Sequence, residues 1–253
     1  MSYNDLINKS RFFNKQPIYS KLGIKNVYLN IGCGPNMFPS SINRIWINSD
    51  REDFQEFLDR MKTADLNQCW GCIKQVGYYL QNNIPIDFRI HDLRKGFAQH
   101  ADSSIAGIYS GQVVEHLNPL YEIPKLFKDC YRMLVPGGII RLATPDLDIM
   151  IDAYNKGQMN KFACEQPELY QNITPGEQLT YLMFGSIGEK CTWDHYEGHF
   201  QIFNQVSMTN QLQKAGFKNV VYYYEDGKSK DPVMAKETIS VGMTHSFIVE
   251  AVK

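Results

Sequence analysis

Apolar runs alternate with glycine- or proline-bearing breaks along most of the chain, which predicts repeated strand-then-helix units. Val27-Tyr28-Leu29-Asn30-Ile31 has the β-branched and aromatic content of a strand, and Gly32 to Asn36 behind it reads as a loop. Ile45-Trp46-Ile47-Asn48 is the next strand. The link between the two contains Pro35 and Pro39, so any helix in it must be stunted, although parallel strands normally need a longer crossover. Apolar residues at helical spacing follow over Glu52–Gln81, among them Phe54, Phe57, Leu58, Met61, Ile73 and Val76. Strands are predicted at Ile86–Ile90 and Ile105–Tyr109. A helix from about Pro119 to Leu134, stopped by Pro136-Gly137-Gly138, leads to a fifth strand at Ile139–Ala143.

Beyond that strand the pattern predicts a helix over Asp146–Tyr154, a helix over Ser207–Ala215 ended by Gly216, and a strand over Lys218–Tyr224. A polar loop, Glu225–Lys236, then precedes a last strand from about Ser246 to Val252. The alternation argues for an α/β fold, a doubly wound and mostly parallel sheet with helices on both faces. One domain over residues 1–253 is expected, with a lead-in over 1–24 and an irregular insertion over about 155–203. The insertion carries glycines, prolines and the run Trp193-Asp194-His195-Tyr196-Glu197-Gly198-His199-Phe200, and reads as a lid or substrate wall.

Composition narrows the function classes. Hydrophobic residues make up 43% and charged residues 21%, as in an ordinary folded protein. A net charge of -1 gives no overall attraction to nucleic acid. The first residues lack the apolar core of a signal peptide and no later run reaches membrane-spanning length, so a cytoplasmic protein is expected. The six cysteines have neither a disulfide framework nor a zinc-knuckle spacing, and Cys69 and Cys72 are expected to be reduced thiols on a helix.

In doubly wound sheets ligands sit at the carboxyl ends of strands, and the chemically suggestive residues cluster there. Gly32 and Gly34 follow the first strand, where a glycine permits a sharp turn and close approach of a ligand, and Asp50 ends the second, where an acid can accept from ribose hydroxyls. A tight turn without a ligand is the plain alternative for the glycines taken alone.

The string Leu29-Asn30-Ile31-Gly32-Cys33-Gly34 resembles motif I of class I S-adenosylmethionine-dependent methyltransferases. Trp46 to Asp50, His91-Asp92-Leu93, Val114-Glu115-His116-Leu117, Leu134 to Gly138 and Ala215-Gly216-Phe217 follow in that family's order and approximate spacing. The ensemble is similar to the small-substrate, type 11-like branch. The resemblance implies a Rossmann-like sheet of seven strands with an antiparallel last strand, and S-adenosylmethionine as cofactor. It implies that Gly32, Cys33 and Gly34 pass under the methionine part and that Asp50 binds the ribose. It further implies that Asp92 and Leu93 bracket the adenine and that Ser110, Gly111 and Gln112 line the methionine side. Asn30 stands where the family often has an acid, so any contact to the cofactor's ammonium lacks that charge. A nicotinamide dinucleotide shares the glycine turn and ribose acid, but Met37 occupies the place of the third glycine.

Methyl transfer to a hydroxyl needs an in-line nucleophile, exclusion of water and a base near neutrality. His116 and the adjacent Glu115, just past the fourth strand, and His199 in the insertion are the candidate catalytic residues. Packing or helix capping is the alternative for His116. His195 and His199 lack a His-Glu-x-x-His order and a defined third ligand, so no metal site is assigned. Asp146 reads as a helix cap. His91, His100 and His245 read as structural or solvated. The Asp/Asn-Pro-Pro-aromatic and Pro-Cys motifs of nucleic-acid methylation are absent. The expected activity is methyl transfer to a small-molecule or glycan-precursor acceptor, at oxygen, and the alternative is a non-catalytic module that binds the same cofactor.

Overall fold

Val27–Ile31 and Ile45–Asp50 are buried along nearly their whole length, as expected of parallel strands covered on both faces. They form β1 and β2 of a seven-stranded sheet completed by Asp87–Ile90 (β3), Ile105–Gly111 (β4), Leu134–Pro145 (β5), Lys218–Tyr223 (β6) and Ser246–Val252 (β7). The structure, a computed structural model, describes residues 26–41, 44–51, 70–162, 173–184, 198–238 and 245–253. The strand order is β3-β2-β1-β4-β5-β7-β6, and β7 alone runs against its neighbours. This is the Rossmann-like arrangement implied by the motifs. The order reverses between β1 and β4, where the chain has wound outward in one direction and then in the other, and a crevice opens at such a point.

Side-chain alternation sorts the two faces. Leu29, Ile31, Ile45 and Ile47 point to the larger core with Ile123, Phe127 and Phe217, whereas Tyr28 and Trp46 point to a second cluster with Phe38, Tyr109 and Met234. Among the described residues the helices are Trp70–Gln81 (α1), Glu122–Met133 (α2), Leu147–Asn155 (α3), Pro175–Phe184 (α4), Gln205–Lys214 (α5) and Pro232–Glu237 (α6). Helix α2 buries Ile123, Leu126, Phe127, Cys130 and Met133, a stripe at three- and four-residue spacing. Helix α5 begins at a capping box in which Asn204 and Ser207 exchange side-chain bonds with each other's backbone.

The connection from β1 to β2 has no helix among its described residues, as its prolines predict. Phe38 takes the covering role, with its ring 4.8 Å from Trp46 and 5.3 Å from Tyr109. Several predicted boundaries shift and one unpredicted helix is present. Strand β4 runs two residues beyond Tyr109. Strand β5 starts at Leu134, directly after α2, because Leu134 pairs with Ile105 before a register shift near Gly107. Helix α6 stands inside the predicted polar loop, where Asp231 accepts from the amides of Val233 and Met234, and Pro232 occupies the first turn. The predicted irregular insertion contains α4. The lead-in, most of the Glu52–Gln81 helix, Cys69 and the Trp193–Glu197 run lie outside the described residues. No helix among the described residues is long and apolar enough to cross a membrane.

Candidate functional site

The glycine turn after β1 is shaped by backbone geometry that side chains resist. Gly32 and Gly34 have φ of +63° and +47°. A Cβ on Gly32 would lie 2.5 Å from Val113 Cγ2, so that glycine is needed for packing against the segment after β4. A Cβ on Gly34 would meet nothing within 4 Å, so the turn there faces open space. Cys33 between them is buried, and its amide donates to the Ser49 carbonyl at 3.0 Å. Burial, reinforced by the Asp50 carboxylate, pushes its thiol well above the ordinary range, which excludes a reactive thiolate.

Asp50 ends β2 beside this turn. Its Oδ2 accepts from the Gly34 amide at 2.8 Å and its Oδ1 from the Arg51 amide at 2.7 Å. Each carboxylate oxygen retains acceptor capacity after one such bond, which suits a vicinal diol. Asp92, after β3, caps the following turn by accepting from the Arg94 amide and is gripped by the Arg94 guanidinium at 2.8 and 2.7 Å. The Arg94 hydrogen bonds hold its carboxyl below the usual range. A cleft of about 360 Å³ lies here, lined by Arg51, Ile90, His91, Asp92, Arg94 and Lys95. Leu93 packs on the main core instead of lining that cleft.

Two of the sequence-predicted cofactor residues support the cradle from beneath. Asn30 is buried, and its amide donates to the Asn36 carbonyl at 2.7 Å and to Asn48 Oδ1 at 3.0 Å. Ser110 is also buried and donates to the Ile31 carbonyl at 3.0 Å, tying the ends of β1 and β4 together. Asn48, which the sequence marks only as a strand residue, is the hub of this layer. It accepts from the Phe38 amide at 2.8 Å and donates to the carbonyls of Phe38 and Asp87 at 2.9 and 3.0 Å. An asparagine closing an otherwise apolar strand was the available signal.

At the end of β4, Gln112 adopts φ of +57°, an uncommon conformation for a residue other than glycine. Its amide donates to the Ala143 carbonyl and its side chain to Ser246 Oγ, so it links β4, β5 and β7. The turn it makes carries the chain past Val113, which fills the space over Gly32, into a short 3₁₀ turn of Val114–His116.

That turn delivers Glu115 and His116, and the structure brings His199 to them. The His199 amide donates to the Phe184 carbonyl at the end of α4, and the Phe200 amide donates to the Glu115 carbonyl. The His116 and His199 rings then stand 4.8 Å apart, tilted by 65°. Glu115 is fully buried, with Thr144 donating to one carboxylate oxygen at 3.1 Å, and burial raises its pKa. Burial, with a smaller contribution from His116, pushes the His199 imidazole down to about 4. Asp146 caps α3 through the Asp148 amide, as its position predicts. His195 lies outside the described residues.

The cradle and the acid beside it fit an S-adenosyl cofactor: an open glycine turn, a carboxylate with acceptor capacity to spare and a cleft at the ends of adjacent parallel strands. A model of a methyltransferase domain family matches residues 8–222. Among solved structures, a SAM-dependent methyltransferase from Archaeoglobus fulgidus is 13% identical over 100% of both chains, with a TM-score of 0.46. One from Methanosarcina mazei is 13% identical over 94% of this chain and 98% of that one, with a TM-score of 0.45. Phosphoethanolamine N-methyltransferase 2 from Haemonchus contortus is 12% identical over 100% of this chain and 53% of its own, with a TM-score of 0.44. No curated protein matches. With the family match spanning most of the sequence, this chain belongs to the methyltransferase domain family and is a class I, S-adenosylmethionine-dependent methyltransferase.

Proposed function

We propose that the protein methylates a hydroxyl oxygen of a small-molecule or glycan-precursor acceptor in the cytoplasm. The observation that carries this reading is the His116 imidazole in the short turn that follows Val113, the residue packed over Gly32. Its Nδ1 lies 3.2 Å from the Gly198 carbonyl, which can only accept, so in the neutral ring the proton sits on Nδ1 and Nε2 holds a lone pair. A neutral imidazole of that tautomer is suited to take the proton of an attacking hydroxyl.

The cofactor, when bound, supplies a methyl carbon made electrophilic by the adjacent sulfonium. The chain binds it through Gly32, Cys33 and Gly34 under the methionine part, Asp50 at the ribose and Asp92 beside the adenine cleft. Gly111 and Gln112 border the methionine side, with Asn30 and Ser110 holding the floor rigid. His116 orients the acceptor and receives its proton. Glu115 and His199 hold that imidazole in an enclosed corner and exclude water. The described end of the insertion, from Gly198 to Phe203, serves as a wall on the acceptor side of the same single domain.

The test is turnover on a panel of hydroxylated metabolites and sugar nucleotides, read as S-adenosylhomocysteine formation. Methylated oxygen in the product is the expected result. Cofactor binding without turnover on any acceptor would favour the non-catalytic module, and a methylated nitrogen or carbon would overturn the assignment to oxygen.

A further inference from the structure

Two imidazoles and a buried carboxylate converge just past the end of β4. Glu115, His116 and His199 can each offer one ligand atom, a carboxylate oxygen or an imidazole nitrogen, and these atoms all lie within 4.8 Å of one another. Glu115 is 0% exposed, and while Thr144 donates to its Oε2, its Oε1 has no hydrogen-bond partner among the described residues. A buried carboxylate oxygen in that condition is costly unless the group takes a proton or a positive charge stands beside it.

The imidazoles point to what that charge is. His116 Nδ1 lies 3.2 Å from the Gly198 carbonyl and His199 Nδ1 lies 3.2 Å from the Met183 carbonyl. Because a carbonyl only accepts, each neutral ring carries its proton on Nδ1, which makes Nε2 the ring's acceptor atom. Backbone carbonyls fix the imidazoles of metal sites in this way, and the Thr144 hydroxyl orients the carboxylate in the same sense.

We propose that Glu115, His116 and His199 bind a divalent transition-metal ion through one carboxylate oxygen and two imidazole nitrogens. Two nitrogens and one oxygen suit Zn²⁺, Co²⁺ or Mn²⁺ better than Mg²⁺ or Ca²⁺, which prefer all-oxygen shells. Three protein ligands leave a coordination position open, as catalytic sites do, and the deepened reading is that the acceptor oxygen takes it. With the ion bound the lone pairs of the imidazoles are committed to it, so the hydroxyl, acidified by coordination, gives its proton to water, and His116 is the proton acceptor only in the ion-free chain. This last step rests on the proposed methyl transfer to oxygen, whereas the ion site itself does not. The sequence alone lacked the third ligand for the histidines of the insertion. The docking of the Gly198–Phe200 segment on the turn after β4 supplies it.

The experiment is calorimetric titration of the chelator-treated full chain with ZnCl₂, with MnCl₂ and MgCl₂ as separate arms and Co²⁺ absorption as a spectroscopic readout. One Zn²⁺ per chain is expected, with micromolar or tighter affinity and a visible Co²⁺ band displaced by Zn²⁺. His116→Ala, His199→Ala and Glu115→Gln should each weaken binding at least tenfold, with circular dichroism confirming the fold, and His100→Ala should leave it unchanged. Should the alanine variants misfold, His199→Gln serves in their place, and the wild-type titration decides regardless. Absence of Zn²⁺ and Mn²⁺ binding, binding of Mg²⁺ alone, or Zn²⁺ binding that survives the paired histidine substitutions overturns the site. The titration uses neither cofactor nor acceptor. A chain that binds S-adenosylhomocysteine but no ion refutes this inference alone, and a chain that binds the ion but shows no turnover refutes the proposed reaction alone.

Discussion

Asn48→Ala is the substitution that most directly tests how the cofactor cradle is held. The side chain is fully buried and makes four hydrogen bonds: it accepts from the Phe38 amide and Asn30 Nδ2, and donates to the carbonyls of Phe38 and Asp87. Truncation leaves the Phe38 N–H and one hydrogen of the Asn30 amide without those acceptors, in a layer where solvent does not reach. Each buried donor so orphaned costs about 1–3 kcal/mol, so the two together cost about 2–6 kcal/mol. The carbonyls add less, since a carbonyl tolerates incomplete pairing better than an N–H. The effect should extend to function, because the freed Phe38 segment follows the turn that aims the Gly34 amide at Asp50. Urea denaturation should report a stability loss of about 3 kcal/mol or more with little change in slope. Calorimetry with S-adenosylhomocysteine should show affinity reduced about tenfold, equivalent to about 1.4 kcal/mol. A stability loss below about 1 kcal/mol together with unchanged affinity would refute the reasoning.

Other substitutions separate packing from binding. Gly34→Ala meets no atom but forces alanine to φ of +47°, costing about 1–2 kcal/mol of stability, while its methyl group enters the cradle and should cut S-adenosylhomocysteine affinity at least tenfold. Gly32→Ala collides with Val113 and should cost more stability than Gly34→Ala in the same melts; the reverse ranking would contradict the assignment. Arg141 and Glu250, 0% and 1% exposed, pair at 2.6 Å across β5 and β7, so Arg141→Met should cost about 3–5 kcal/mol and the double change Arg141→Met/Glu250→Leu should recover most of it. Equal losses in the single and double variants would argue against a stranded carboxylate.

Stability should also depend on pH through His100, whose pKa burial, aided by Arg89, His91 and Arg132, lowers from 6.5 to about 4. A base whose folded pKa is depressed disfavours its protonated form in the fold, so the stability is fully present above 6.5 and is lost as pH falls through about 4. The melting temperature should drop between pH 7 and pH 4.5, and less steeply in His100→Gln; equal slopes in the two proteins would exclude His100 as a contributor.

Much of the architecture follows from local chemistry written in the chain. The apolar strands, the prolines that suppress a helix between β1 and β2, Asp146 as a cap, and the succession of Gly32, Gly34, Asp50 and Asp92 at strand ends are properties of neighbouring residues, so the sequence alone determines them. The last strand, Ser246–Val252, was legible at its full extent because it is a continuous buried run. Helix α6 was not, because its short span reads as polar until Asp231 is seen capping it and Met234 is seen buried under β4 and β1.

The tertiary structure decided which polar residues face a ligand and which face the protein. Asn30 and Ser110 follow the same motif logic as their neighbours, yet the pleat turns their side chains into the layer beneath the cradle, and only the packed sheet reveals Asn48 as the partner of Asn30 and the Ile31 carbonyl as that of Ser110. The meeting of Glu115, His116 and His199 is likewise a product of the fold. These residues lie on segments far apart in the chain, joined by backbone hydrogen bonds to Phe184 and Glu115 that no local pattern encodes. Sequence spacing carries information about what a segment does to itself; the convergence of two imidazoles and a carboxylate on one point depends on loop docking, and so belongs to the three-dimensional structure.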